Sequence, residues 1–228
     1  MPEKIKWGIK SGAAVAAFLI SDVLFTEIYA LFLMRLNLEE RWITLCFEMG
    51  SSLITLLLAF PVFVLVMGVW GKLQTFHIKA TEPLSVWGYL AYAALAALPM
   101  ALLWGMELVL FWQGGLWAED INSLMPESWT NTVLFSCLLL PVMEEMMFRG
   151  ILLHKLLPLG TGYAIWLTTC FFVIIHYNNP VNMILSFAAG FALAHMTARV
   201  KGILPAVLFH IGINFLGQAI FPLYIALA

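Results

Sequence analysis

Seven consecutive residues, Glu144-Glu145-Met146-Met147-Phe148-Arg149-Gly150, put two carboxylates and a guanidinium directly after an almost wholly apolar run from Val133 to Met143. An ionised side chain inside a bilayer costs roughly 2.5–3.5 kcal/mol on insertion scales. The cluster therefore marks a functional site, unless all three side chains reach the cytoplasmic surface near Lys155. Glu145 and Arg149 are four apart, share a helix face and can pair. Glu144 is rotated from Glu145 by about 100° on helical geometry. One carboxylate is thus free to act while the arginine holds the other.

Two further pairs repeat the four-residue spacing. Phe172 and His176 project from one face of an apolar run that ends at the turn-forming Asn178-Asn179-Pro180, and His210 and Asn214 share a face inside Val207–Leu216. A lone histidine in such a run commonly serves as a structural hydrogen-bonder. Jointly, three polar pairs on three apolar segments supply a carboxylate, imidazoles and a carboxamide that can converge.

The elements that must position them belong to a membrane. Of the 228 residues, 63% are hydrophobic and only 11% charged, against about 25% charged in a soluble domain. The net charge of −2 offers no basic surface for nucleic acid. Cys46, Cys137 and Cys170 all lie in apolar runs without CxxC spacing and read as small buried hydrophobes. The apolar run from Ala13 outlasts a signal-peptide core and reads as a first membrane span.

A spanning helix needs about 20 apolar residues. Candidate spans are 11–34, 43–70, 88–112, 131–157, 162–178, 181–198 and 202–218, and the fragment 219–228 is either a short eighth span or the end of the seventh. The expectation is an all-α polytopic bundle of seven or eight spans forming one membrane domain over 1–228, with N-terminal spans in 1–129 and the site in 130–218. Trp7, Trp42, Trp70, Trp87, Trp112 and Trp129 flank spans, as interfacial rings do. Lys4, Lys6, Lys10, Lys72, Lys79, Lys155, Arg199 and Lys201 gather on one side, which the positive-inside rule makes cytoplasmic along with the N-terminus. Ser186, Gly190 and Ala194 allow close helix approach. Pro61, Pro99, Pro141 and Pro205 lie inside spans, and Pro141, about one turn before Glu144, can open the backbone there.

The ordered set Glu144-Glu145-x-x-x-Arg149, Phe172-x-x-x-His176 and His210-x-x-x-Asn214 resembles the CPBP family of intramembrane proteases. That family joins the CAAX prenyl endopeptidases with bacteriocin-processing and self-immunity (Abi) proteins. The resemblance covers about 130–218. It implies that Glu144 is the general base for a water, that His176 holds the water, and that His210 and Asn214 form an oxyanion hole. Glu145, Arg149 and Phe172 would orient the site or the substrate. The expected substrate is a membrane-associated peptide or protein, either a bacteriocin-like precursor or a prenylated C-terminus.

No serine or cysteine pairs with a histidine in these motifs, so an acyl-enzyme is not indicated. HExxH is absent, and a zinc ion held by Glu144, His176 and His210 would need one ligand from each of three helices. The expectation is a metal-free glutamate hydrolase with no cofactor, zinc being the alternative. Asp22, Glu27, Glu48 and Glu107 are further intramembrane acids, His195 has no assigned role, and His77 and His154 read as solvated. Two rivals remain: a non-enzymatic immunity or scaffold protein and, with no inverted repeat in its favour, a small transporter. The compact chain suggests a bacterial cell membrane.

Overall fold

A computed structural model describes residues 1–36, 38–69, 77–112, 129–176 and 180–220. Seven helices occupy them: α1 (Glu3–Leu33), α2 (Glu40–Met67), α3 (Val86–Trp112), α4 (129–156), α5 (Thr161–Ile175), α6 (Pro180–Val200) and α7 (Leu204–Ile220). They fall on the seven expected apolar segments. Four stretches, Glu3–Leu33, Glu40–Met67, Val86–Leu103 and Asn182–Val200, are long and apolar enough to cross a membrane, so a count of seven or eight spans is not confirmed. The eighth segment, the turn at 178–179 and the side chain of Glu107 lie outside the described residues.

The distribution of apolar side chains is that of a protein dissolved in lipid. Large hydrophobics such as Ile20, Leu57, Leu102 and Trp87 point outward on α1, α2 and α3, where water would make them a liability. In the larger of two packed clusters Phe63 of α2, Met147, Phe148 and Leu152 of α4, and Phe172 of α5 meet α1, while Leu193, Met196 and Val200 of α6 form the second with Ala206 of α7. α6 packs on both α5 and α3. Between α1 and α2 the Thr55 hydroxyl donates to Asp22 Oδ1 at 2.6 Å and Tyr29 to the Cys46 carbonyl at 2.9 Å. Asp22 is thus tied to its neighbouring helix.

Two of the π-helical stretches lie just before a proline. α4 is π-helical over Thr132–Leu139 and again over Met146–Leu153, bracketing an ordinary α-helical segment, Leu140–Glu145. α2 has the same feature at Thr55–Ala59, just before Pro61. Such π-turns lengthen the hydrogen-bonded loop by one residue and are frequent at functional sites. Pro205 differs from expectation: it lies in the first turn of α7, where its missing N–H costs nothing.

The segment before α3 is strapped to the α6–α7 turn. Thr81 and Glu82 N–H groups donate to the Val200 carbonyl, while Ile203 and Leu204 donate to those of His77 and Ile78. A Cβ on Gly202 would lie 2.3 Å from the Lys79 carbonyl oxygen, so only glycine permits this approach. Across the strap the Lys201 ammonium donates to Glu82 and holds that carboxyl below its ordinary value.

Candidate active site

α5 is short. Its 15 residues rise only about 22 Å, less than the ~30 Å hydrocarbon core, and His176 caps its C-terminal end with φ −96° and ψ 10°. This brings His176 level with Glu144 in α4 and His210 in α7, an alignment that equal, full-length spans would not give. His176 Nε2 lies 3.5 Å and His210 Nε2 3.6 Å from Glu144 Oε2.

Behind this trio stands a second, tighter set. Glu145 Oε1 accepts from Arg149 Nη1 at 2.8 Å and from His210 Nδ1 at 2.9 Å. Glu145 is completely buried and Arg149 is 2% exposed. The i,i+4 pairing read from the sequence forms across the start of the π-turn, and α6 completes it: Arg149 Nη2 donates to the Gly190 carbonyl at 3.0 Å. The guanidinium also lies 4.5 Å from the centre of the Phe172 ring, within cation–π range. Phe172 in turn packs against His176 with ring centres 4.2 Å apart and against His210 at 5.7 Å. One buried arginine therefore joins three of the four helices that build the site.

The tautomers follow from these partners. His176 Nδ1 faces the Phe172 carbonyl at 2.8 Å, an oxygen that only accepts, so Nδ1 carries the hydrogen. His210 Nδ1 faces a carboxylate and likewise donates. In neutral imidazoles both Nε2 lone pairs then point toward Glu144 Oε2, which has no hydrogen-bond partner among the described residues. Three converging acceptors repel one another unless a proton donor or a cation stands among them. A water molecule, a protonated histidine and a metal ion are the groups that resolve this.

Asn214 completes the set for a reason visible in the π-turn. Leu140 N–H donates back five residues to the Phe135 carbonyl, and the next donor in that register would be Pro141, which has no N–H. The Ser136 carbonyl so released accepts from Asn214 Nδ2 at 2.9 Å. Pro141 thus acts through the carbonyl it frees: that oxygen anchors the amide on α7, leaving its second N–H for other use.

A cavity of about 220 Å³ opens beside these groups, lined by His176, His210, Asn214, Ser186 and Gln218 and by apolar side chains that include Ala96 and Met100 of α3. The N-terminal half, which sequence reading left without a role, supplies this wall. Ser136 and the Gly190 carbonyl were also missed, since backbone acceptors carry no side-chain signal; Pro141 and the small residue at 190 were the available clues. The Ser186–Gly190–Ala194 stripe does allow close approach, with Gly190 against Phe172.

For zinc, one atom each from Glu144, His176 and His210 lies within 4.8 Å of the others. Both imidazoles have their Nδ1 engaged by an oxygen, the backing that zinc-ligating histidines carry. The donor set fits a zinc ion.

The fold and site define an integral membrane protein with a buried carboxylate–histidine centre. Residues 126–216 match the family model of the type II CAAX prenyl endopeptidases, Rce1-like, within the CPBP group. The match covers less than half of the chain, and over that segment the protein is similar to the CAAX-type intramembrane proteases. No curated protein and no solved structure matches the chain significantly.

Proposed function

We propose that the protein is an intramembrane endopeptidase in which Glu144 activates a water to attack a peptide carbonyl of a membrane-associated, prenylated peptide or protein. The observation that carries this reading is the convergence of Glu144 Oε2 with the Nε2 atoms of His176 and His210 beside an open cavity. A water held there donates one hydrogen to Glu144 and the other to His176 Nε2, and its lone pair is free to attack. Glu144 takes the proton and delivers it to the departing amine. The carbonyl oxygen, gaining negative charge, is met by Asn214 and His210.

His210 can donate from Nε2 only as an imidazolium, because its Nδ1 hydrogen is committed to Glu145. With that proton, two carboxylates, one guanidinium and one imidazolium make the buried group electrically neutral. Glu145 and Arg149 orient His210, and Phe172 orients His176. Were zinc bound by the trio, Glu144, His176 and His210 would hold it and it would supply Lewis acidity.

Ala96, Met100, Leu185, Ala189 and Ile213 give the cavity an apolar wall suited to a lipidated chain. The lysine and arginine bias supports a cytoplasmic N-terminus. The test is cleavage of a prenylated peptide and its unprenylated counterpart by protein in liposomes, alongside Glu144→Gln. Release only from the prenylated peptide, and only by wild type, supports the reading. Equal release by Glu144→Gln overturns it.

A further inference from the structure

On the other side of Arg149 lies a second and larger cavity, about 380 Å³, lined by His77, Arg149, Leu153, His154, Leu157, Thr161, Thr197, Ala198, Lys201, Gly202 and Ile203. No acidic residue is among these described lining residues. Two of its polar side chains are more than nine-tenths buried and hold a donor without a partner among the described residues: Arg149, through Nε, and Thr197, through Oγ1. A buried polar atom normally finds a partner, so two on one cavity point to a ligand that accepts hydrogen bonds. His77, Thr161 and Lys201 are exposed at its rim.

We infer that this cavity binds a phosphate group. Arg149 Nε, Thr197 Oγ1, Lys201 Nζ and the rings of His77 and His154 supply up to five donors. That is more than the roughly four lone-pair positions of a carboxylate and suits the oxygens of a phosphate. Lys201 already donates to Glu82 but retains two further hydrogens. The electrostatic influence of Lys155 reaches His154 and that of Arg199 reaches Glu82, so the surrounding field is cationic on the outer side. The strap between 77–82 and 200–204 holds this side of the cavity rigid. The site adjoins the ends of α4 and α6, at the level of Lys155, Arg199 and Lys201, where a phospholipid headgroup would lie if this is the membrane surface. Free phosphate offers the same chemistry.

The experiment is binding, read without any protease assay, so it stands or fails separately from the proposed activity. Full-length protein is titrated with inorganic phosphate while the thermal midpoint and the His154 and His77 ring resonances are followed. In parallel, native mass spectrometry counts phospholipid retained from bilayers of phosphatidylcholine with and without phosphatidylglycerol. Thr197→Val and Lys201→Gln are the variants. Thr197→Val removes a hydroxyl with no partner among the described residues, so the ligand-free midpoint should hold or rise.

Each variant should weaken phosphate binding about tenfold, or lose the retained lipid to a similar degree. Response to phosphate alone identifies a free anion as the ligand; retention of phosphatidylglycerol alone identifies a headgroup. Absence of both in wild type, or equal responses in wild type and both variants, overturns the assignment.

Discussion

A single methyl group at position 190 tests whether packing behind the site positions its histidine. A Cβ added to Gly190 would lie 2.9 Å from Phe172 Cδ1 and 3.5 Å from Cγ. Carbon–carbon contacts prefer about 3.5–4.0 Å, so the ring must retreat by roughly 0.6 Å. It cannot retreat freely. Phe172 is 2% exposed, with Phe148 at 5.3 Å, His176 at 4.2 Å and the Arg149 guanidinium at 4.5 Å from its ring centre. Overpacking of this kind costs about 1–3 kcal/mol, and the better helix propensity of alanine offsets about 1 of it. The net loss of stability is therefore small, about 0–2 kcal/mol. The displacement reaches His176 directly, and a 1 Å misplacement can cost about 10² in rate. Gly190→Ala should lower kcat about tenfold with KM little changed, measured on a prenylated peptide in liposomes.

Gly212→Ala is the matched control. It lies on α7, two residues past His210, yet a Cβ there meets nothing within 4 Å. It should cleave at the wild-type rate. Equal rates for Gly190→Ala and Gly212→Ala would refute the positioning argument, as would a fall in both.

Three further outcomes are expected. Asn214→Ala should cost about 10²–10³ in kcat, the loss typical of one oxyanion donor, and should also slightly lower the thermal midpoint because the Ser136 carbonyl loses its donor. Arg149→Met strands the buried Glu145 carboxylate and should destabilise the fold by about 3–5 kcal/mol, read by thermal denaturation in detergent. Dialysis against a chelator, followed by elemental analysis, should leave cleavage intact if water is activated by Glu144 alone. Loss of activity with restoration by zinc would instead assign Glu144, His176 and His210 as ligands.

Much of the helical layout was legible because membrane solvent enforces it. Apolar runs of bilayer length and flanking tryptophans mark α1, α2 and α3 without reference to any contact. The site motifs were legible for the same reason: Glu144, Glu145 and Arg149 stand out against residues that lipid would otherwise demand. What did not show was depth. His176 reads as lying at the far end of a full span, and only the shortness of α5 brings it to Glu144. The exchange of hydrogen bonds around Pro141 was hidden too, because it depends on whether the helix counts four or five residues back. The pairing of Arg149 with the Gly190 carbonyl bridges 41 residues and has no local pattern. The second cavity joins residues from before α3, from α4 and from the α6–α7 turn, a long-range closure that no periodicity encodes.

The central claim is that Glu144 is the base for peptide hydrolysis. The most direct measurement compares peptide termini in membranes carrying wild-type protein or Glu144→Gln at equal abundance, the substitution keeping the side chain's shape while removing its basicity. The account expects new termini only with the wild type, clustered near the C-termini of membrane-associated proteins. The same termini with Glu144→Gln would contradict it, and an unchanged set in both would favour a binding role for the same buried residues.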